Sequence, residues 1–174
     1  MKLNNELMAA VKKTIMLCCI ICCGWHLDAQ SSLATAQLKT LRGKIIPFSE
    51  AVQKDSLVLV CFWSVTSDPS INELNAINKS YEKWKTAVPF KLLAVDVDEG
   101  NGTSRLRNTV NMYEWKFDVF SDINGDLRKI LNSTKVPQAL IIKKERVMYE
   151  LSGFEPGTEN YLLQKMQAIV SGKS

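Results

Sequence analysis

The side chains best suited to chemistry lie close together, within residues 61–70 of the chain. This stretch holds one thiol, Cys61, and two hydroxyls, Ser67 and Ser70, which are separated by an aspartate and a proline. A thiol or a hydroxyl becomes a good nucleophile only when a base or a positive environment favours its deprotonated form. The chemistry open to this stretch therefore depends on the groups that the rest of the chain supplies.

The first 29 residues have the pattern of a cleaved export signal. Lys2, Lys12 and Lys13 precede an apolar run over residues 14–24, and Ala29 offers a small residue at a cleavage point before Gln30. The run is shorter than the roughly 20 apolar residues that span a bilayer, which favours cleavage over a permanent anchor. The alternative is an uncleaved anchor, or a lipid attached to one of the cysteines of this segment: Cys18, Cys19, Cys22 or Cys23.

Cleavage before Gln30 removes four of the five cysteines and the single histidine, His26. The mature chain then has Cys61 as its single cysteine and has no histidine. This inventory excludes an intrachain disulfide, a serine or cysteine protease triad and a histidine-ligated metal site. The formal charge of +4 comes from 22 basic and 18 acidic residues without a long basic run. We therefore expect no metal, no cofactor and no nucleic-acid partner.

Two elements position the reactive stretch. Residues 57–63 form a continuous apolar run, which is typical of a central strand that is covered on both faces. After Pro69, apolar residues recur at the three- and four-residue spacing of a helix: Ile71, Leu74, Ile77, Tyr81 and Trp84. Such a junction between a strand and a helix N-terminus is a usual place for a functional site in α/β proteins.

The remaining pattern predicts one α/β domain over residues 43–171, preceded by a flexible lead-in over residues 30–42. The predicted elements are a short helix at 48–54, a strand at 90–97, a helix from Thr103 or Ser104, a short helix at 127–131, strands at 138–143 and 146–151, and a helix at 158–170. This order predicts a central mixed β-sheet with helices on both faces.

Residues 122–126 resemble part of a calcium-binding loop. The glycine stands at the wrong position, and no glutamate stands where the twelfth residue of such a loop would ligate the ion. We therefore predict an Asx-type turn that caps the helix at 127–131.

Several ordered motifs resemble the thioredoxin fold. Its signature is a phenylalanine, a tryptophan, two or three residues and then Cys-Gly-Pro-Cys at the start of a helix, and residues 62–70 are similar to it. Lys135-Val136-Pro137 falls where that fold has its cis-proline loop, and residues 124–127 and 153–157 follow the family order. From about residue 43 to residue 170 the chain resembles the TlpA-like periplasmic thiol-disulfide oxidoreductases, which implies a thioredoxin-like fold.

The resemblance fails at the reactive positions. Aligned on Trp63 and Pro69, Ser67 and Ser70 replace the two cysteines of the family, and Asp68 replaces the glycine. Family chemistry needs one thiolate to attack a disulfide and a second thiol to resolve the mixed disulfide. Serine can perform neither step, so we expect no dithiol redox catalysis and no catalytic residue in this motif.

The remaining candidates have simple structural interpretations as well. Cys61 stands where thioredoxins keep a buried acid, and it is either a small apolar core residue or a residual thiol for a mixed disulfide. Ser67, Ser70 or Asp68 can cap the helix that follows, which stabilises it by about 1 kcal/mol.

The resemblance implies a binding role for the surface around the motif. In the family, the backbone beside the cis-proline pairs with an extended substrate, which is a form of β-augmentation. The predicted contact residues are Trp63, Val65, Pro69, Val136 and Pro137.

We predict an exported, monomeric thioredoxin-like module that binds an unidentified protein or extended polypeptide. It contacts a membrane only if its N-terminal segment is uncleaved or lipidated. The alternative is an envelope oxidoreductase that works through Cys61 or through the cysteines of a partner.

Overall fold

The computed structural model describes residues 32–52, 57–98, 100 and 103–172. The predicted signal peptide, its four cysteines and its histidine lie outside the described residues, so its cleavage or lipidation stays a prediction. The described helices are α1 (Ser32–Thr35), α2 (Phe48–Ala51), α3 (Asp68–Ala87), α4 (Thr103–Tyr113), α5 (Asp126–Ile130) and α6 (Thr158–Ser171). The described strands are β1 (Gln37–Thr40), β2 (Ile45–Pro47), β3 (Leu57–Trp63), β4 (Phe90–Asp96), β5 (Asp118–Ser121), β6 (Gln138–Lys143) and β7 (Arg146–Ser152).

The strands form one mixed sheet in the order β2-β1-β5-β4-β3-β6-β7. Strands β3, β4 and β5 are parallel neighbours, whereas β6 and β7 form an antiparallel hairpin beside β3. The predicted mixed α/β sheet is therefore confirmed, with β3 in its interior.

All seven residues of β3 are buried, because helices cover both faces of the sheet. Side chains alternate along a strand, so Leu59, Cys61 and Trp63 face the core formed with α3, α4 and α6. Val60 and Phe62 face a second core, which includes residues of α1, α2 and α5. This double burial explains why β3 reads as an unbroken apolar run.

The segment expected to be a flexible lead-in contains ordered structure from Ser32 onward. Strand β1 pairs with β2 and with β5, and Leu38 in its centre is fully buried. Leu33 and Ala36 also pack into the second core. A strand with a single buried side chain among polar neighbours gives almost no periodic signal, which is why composition alone suggested a linker.

None of the described helices is long and apolar enough to cross a membrane.

Candidate functional site

The loop between β3 and α3 ends in a serine cap. Ser67 has extended backbone angles, and its Oγ accepts a hydrogen bond from the backbone N–H of Ser70 at 3.4 Å. Pro69 occupies the first helical turn, where its missing N–H costs nothing. Ser67, and not Asp68, is therefore the capping residue.

The two motif hydroxyls bind each other. The Oγ of Ser70 donates a hydrogen bond to the Oγ of Ser67 at 2.9 Å. Ser70 is fully buried and Ser67 is partly buried, while Asp68 and Pro69 are exposed. Among the described residues, Ser67 Oγ bonds to no group that could act as a general base. This arrangement stabilises the helix start.

Cys61 lies fully buried in the middle of β3. Burial raises the pKa of its thiol well above the ordinary value, and the nearby Glu73 carboxylate raises it further. The reactive form of cysteine is the thiolate, which this environment disfavours. The structure thus matches the interpretation of Cys61 as a small apolar core residue.

Glu73 is a buried acid that sequence reasoning missed. It lies on α3 one turn beyond Ser70, is only 1% exposed, and neither carboxylate oxygen has a hydrogen-bond partner within the described residues. Burial raises the pKa of Glu73 to about 8. The available signal was its spacing from Ile77, which places a charged residue on the apolar face of the helix.

A second buried acid, Asp96, ends strand β4. It pairs with Trp63 across the parallel strands and is fully buried. Burial, and then the neighbouring Asp98, raise the pKa of Asp96 to about 8. Asp98 itself accepts a hydrogen bond from the backbone N–H of Val65 at 2.9 Å, which holds the motif loop against the end of β4.

The structure divides the predicted contact surface into buried and accessible parts. Trp63 is fully buried and packs edge-on against Trp115, with the ring centroids 4.9 Å apart. Pro137 is buried as well, so the side chains of Trp63 and Pro137 cannot form an outer surface. Both were predicted as contacts from their positions beside the motif and the cis-proline loop. Aromatic and proline side chains at such positions are equally suited to a core, and here they are part of it. Pro69 is exposed, and Val65 and Val136 are partly exposed, so these three can still contact a ligand.

The loop before β6 presents unpaired backbone. The Val136-Pro137 peptide bond is cis, as the resemblance implied, and the carbonyl of Pro137 accepts a hydrogen bond from Gly153 N–H at 2.9 Å. By contrast, the backbone N–H and C=O groups of Thr134, Lys135 and Val136 make no hydrogen bond to any described residue. Because Phe62 pairs with Gln138, this run and the motif loop extend from the same end of the sheet.

The turn before α5 differs from the predicted Asx-type turn, because the Asp122 carboxylate bonds to the backbone five and six residues ahead and not two. The carboxylate of Asp122 accepts hydrogen bonds from the backbone N–H groups of Leu127 at 3.2 Å and Arg128 at 2.8 Å. Both of its oxygens thus serve the helix start. Within residues 32–52, 57–98 and 103–172, no group of three or more histidine, cysteine or acidic side chains is arranged to hold a metal ion.

Comparison with known proteins gives one family. Residues 30–150 match the model of the AhpC/TSA family. The chain is 29% identical over 114 residues to the thiol-disulfide oxidoreductase ResA of Bacillus thuringiensis subsp. konkukian and, equally, to that of Bacillus cereus. Each alignment covers 65% of this chain and 63% of the relative, so the chain spans less than two thirds of these curated relatives.

Solved structures show the same fold. A thioredoxin-like protein from Porphyromonas gingivalis superimposes with a TM-score of 0.69 at 24% identity, covering 84% of this chain and 97% of that one. StoA from Bacillus subtilis superimposes with a TM-score of 0.60 at 20% identity, covering 76% and 98% of the two chains. The predicted thioredoxin-like fold is therefore confirmed.

Proposed function

The chain belongs to the AhpC/TSA family and has the thioredoxin-like fold, and we propose that it is an exported module that binds an extended polypeptide without catalysing dithiol-disulfide exchange. Export rests on the signal pattern of the first 29 residues. The two curated ResA relatives are thiol-disulfide oxidoreductases, so the proposed loss of that activity rests on the residues of the site.

The two motif hydroxyls oppose dithiol redox activity. Ser67 and Ser70 stand at the positions of the two family cysteines, and they are hydrogen-bonded to each other at 2.9 Å. A serine hydroxyl neither exchanges with a disulfide nor resolves a mixed disulfide. The one cysteine beyond the predicted signal, Cys61, is buried in an environment that disfavours its thiolate.

The observation that carries the binding proposal is the unpaired backbone from Thr134 to Val136. Backbone N–H and C=O groups that lie at a surface without partners can pair with an added strand. Partly exposed Val136 and exposed Pro69 supply apolar contacts at the same end of the sheet. A polypeptide in extended conformation offers the complementary backbone groups, so it is the class of ligand that we propose.

The direct test compares two valine-to-aspartate variants. Val136→Asp places a charge beside the unpaired backbone, whereas Val147→Asp places the same charge on β7, where Val147 is 46% exposed. Partners captured from envelope extract by the wild-type protein should be retained by Val147→Asp and lost by Val136→Asp. Equal capture by all three proteins would remove this surface from consideration.

The second candidate function is an envelope oxidoreductase that uses Cys61 or cysteines supplied by a partner. The names of the relatives favour it, while the full burial of Cys61 opposes it. Because a single thiol cannot complete a two-cysteine cycle, this candidate requires a second protein or a small thiol as the resolving partner.

A further inference from the structure

A cavity of about 640 Å³ opens beside the unpaired backbone run. It lies at the carboxyl ends of two parallel strands, because Val97 follows β4 and Asp122 follows β5, and both residues line it. In open α/β sheets, ligands characteristically bind outside the carboxyl ends of the strands. The volume falls within the range of about 300–1,000 Å³ that is usual for small-ligand pockets.

The cavity wall carries two cations. Arg128 is partly buried; its Nε donates a hydrogen bond to the carbonyl of Ser133 at 3.1 Å, and its terminal NH₂ groups bond to no described residue. Lys129 is exposed, and its Nζ donates to the carbonyl of Asn124 at 3.1 Å. Neither cation forms an ion pair with an acidic side chain of the described chain. A guanidinium fixed through Nε can offer its remaining N–H groups to a planar anion.

The wall also holds a buried hydroxyl without a partner. Ser133 lines the cavity, is 5% exposed, and its Oγ has no hydrogen-bond partner among the described residues. Buried polar atoms in folded proteins are nearly always paired, and leaving one unpaired costs free energy. Rotation of this side chain towards the cavity would let an oxygen atom of a bound ligand satisfy the hydroxyl.

We propose that this cavity binds a carboxylate, with the Arg128 guanidinium as its main partner and with Lys129 and Ser133 as further donors. Asp122 also lines the cavity, so its negative charge offsets part of the charge of the two cations. A singly charged carboxylate matches the remaining charge better than a doubly charged phosphate does.

The position of the cavity indicates a source for the carboxylate. Ser133 and Thr134 line the cavity, and Thr134 begins the unpaired run that the proposed polypeptide would pair with. An acidic side chain of that polypeptide would therefore reach Arg128. This step rests on the proposed function, whereas the carboxylate site itself does not.

The first experiment titrates ¹⁵N-labelled protein with acetate and, separately, with inorganic phosphate. Acetate should shift the backbone resonances of Arg128, Lys129 and Ser133, and its affinity should fall at least tenfold in Arg128→Gln. Lys129→Gln should weaken acetate binding severalfold without removing the Arg128–Ser133 hydrogen bond, and Lys83→Gln, an exposed cation on α3, should leave acetate binding unchanged. Absence of acetate shifts, equal affinity in Arg128→Gln, or tighter binding of phosphate would each overturn the assignment.

The second experiment tests the polypeptide as the source. Two eight-residue peptides of alternating valine and threonine carry one central glutamate or one central glutamine. The wild-type protein should bind the glutamate peptide more tightly, and Arg128→Gln should remove the difference. Equal binding of the two peptides would overturn the acidic side chain as the source and leave free small acids as the ligand. Acetate binding should survive in Val136→Asp, so failure of the polypeptide groove and failure of the carboxylate site give different results.

Discussion

Replacing Glu73 with glutamine should stabilise the folded protein, and the gain should grow as the pH rises. The carboxyl is buried without a partner in the described chain, and its folded-state pKa is about 8 against an ordinary value of 4.5. Between these values the folded state keeps the proton that the unfolded chain has lost. Unfolding therefore releases a proton, so the free energy of unfolding falls as the pH rises through this window.

The size of the effect follows from linkage. Each pH unit within the window costs the wild-type protein about 1.36 kcal/mol per proton. Allowing for partial ionisation near the lower limit, the difference between Glu73→Gln and wild type should widen by about 2.5 kcal/mol from pH 5 to pH 7. Glutamine has nearly the same shape as the protonated acid, so the volume of the core is preserved.

The assay is urea unfolding followed by tryptophan fluorescence at pH 5, 6, 7 and 8. Trp63, Trp84 and Trp115 are all buried and will report the loss of the core. A matched control is Glu82→Gln on the same helix, because Glu82 is 61% exposed in its ion pair with Lys85 and its removal should change stability by less than about 1 kcal/mol. The titration of Asp96 changes the stability of both proteins equally, so it cancels when their free energies of unfolding are subtracted. A difference between Glu73→Gln and wild type that stays constant from pH 5 to pH 8 would refute the buried, unpaired state of Glu73.

Three further predictions test the site. Ser67→Cys combined with Ser70→Cys should form a disulfide on mild oxidation, since the two hydroxyls that the thiols replace are 2.9 Å apart. Closing this short loop should make the oxidised form about 2 kcal/mol more stable than the reduced form. Equal urea midpoints for the two forms would contradict this prediction. The thiol of Cys61 should react with Ellman's reagent only in denaturant, because it is fully buried and its pKa is raised; rapid reaction of the native protein would show that the site opens. Asp122→Ala should lower the free energy of unfolding by about 2 kcal/mol, because the backbone N–H groups of Leu127 and Arg128 lose a charged acceptor. An unchanged urea midpoint would argue against the role of Asp122 at the start of α5.

The sequence predicted those parts of the fold that depend on local pattern. Strand β3 was predictable because burial on both faces leaves a continuous apolar run, and α3 because its apolar residues recur at helical spacing. Strand β1 was missed because only Leu38 gives it an apolar signature. The cis bond before Pro137 was implied by resemblance and not by residue pattern.

The site was less predictable because burial depends on packing between distant segments. Trp63 was expected at the surface, but Trp115 packs against it from 52 positions along the chain. Capping propensity could not separate Ser67 from Asp68, and only the backbone geometry assigns the role to Ser67. The burial of Glu73 and Asp96 could not be foreseen from propensity, since charged residues are almost never fully buried without a partner.

The central claim is that this thioredoxin-like site has lost dithiol exchange. The most direct test measures insulin reduction with dithiothreitol by the mature protein, by its Cys61→Ser variant and by an active thioredoxin as the positive control. We expect the rates with wild type and with Cys61→Ser both to match the rate without added protein. Turnover by the wild-type protein clearly above that of Cys61→Ser would contradict the loss of redox activity and would establish Cys61 as a working thiol.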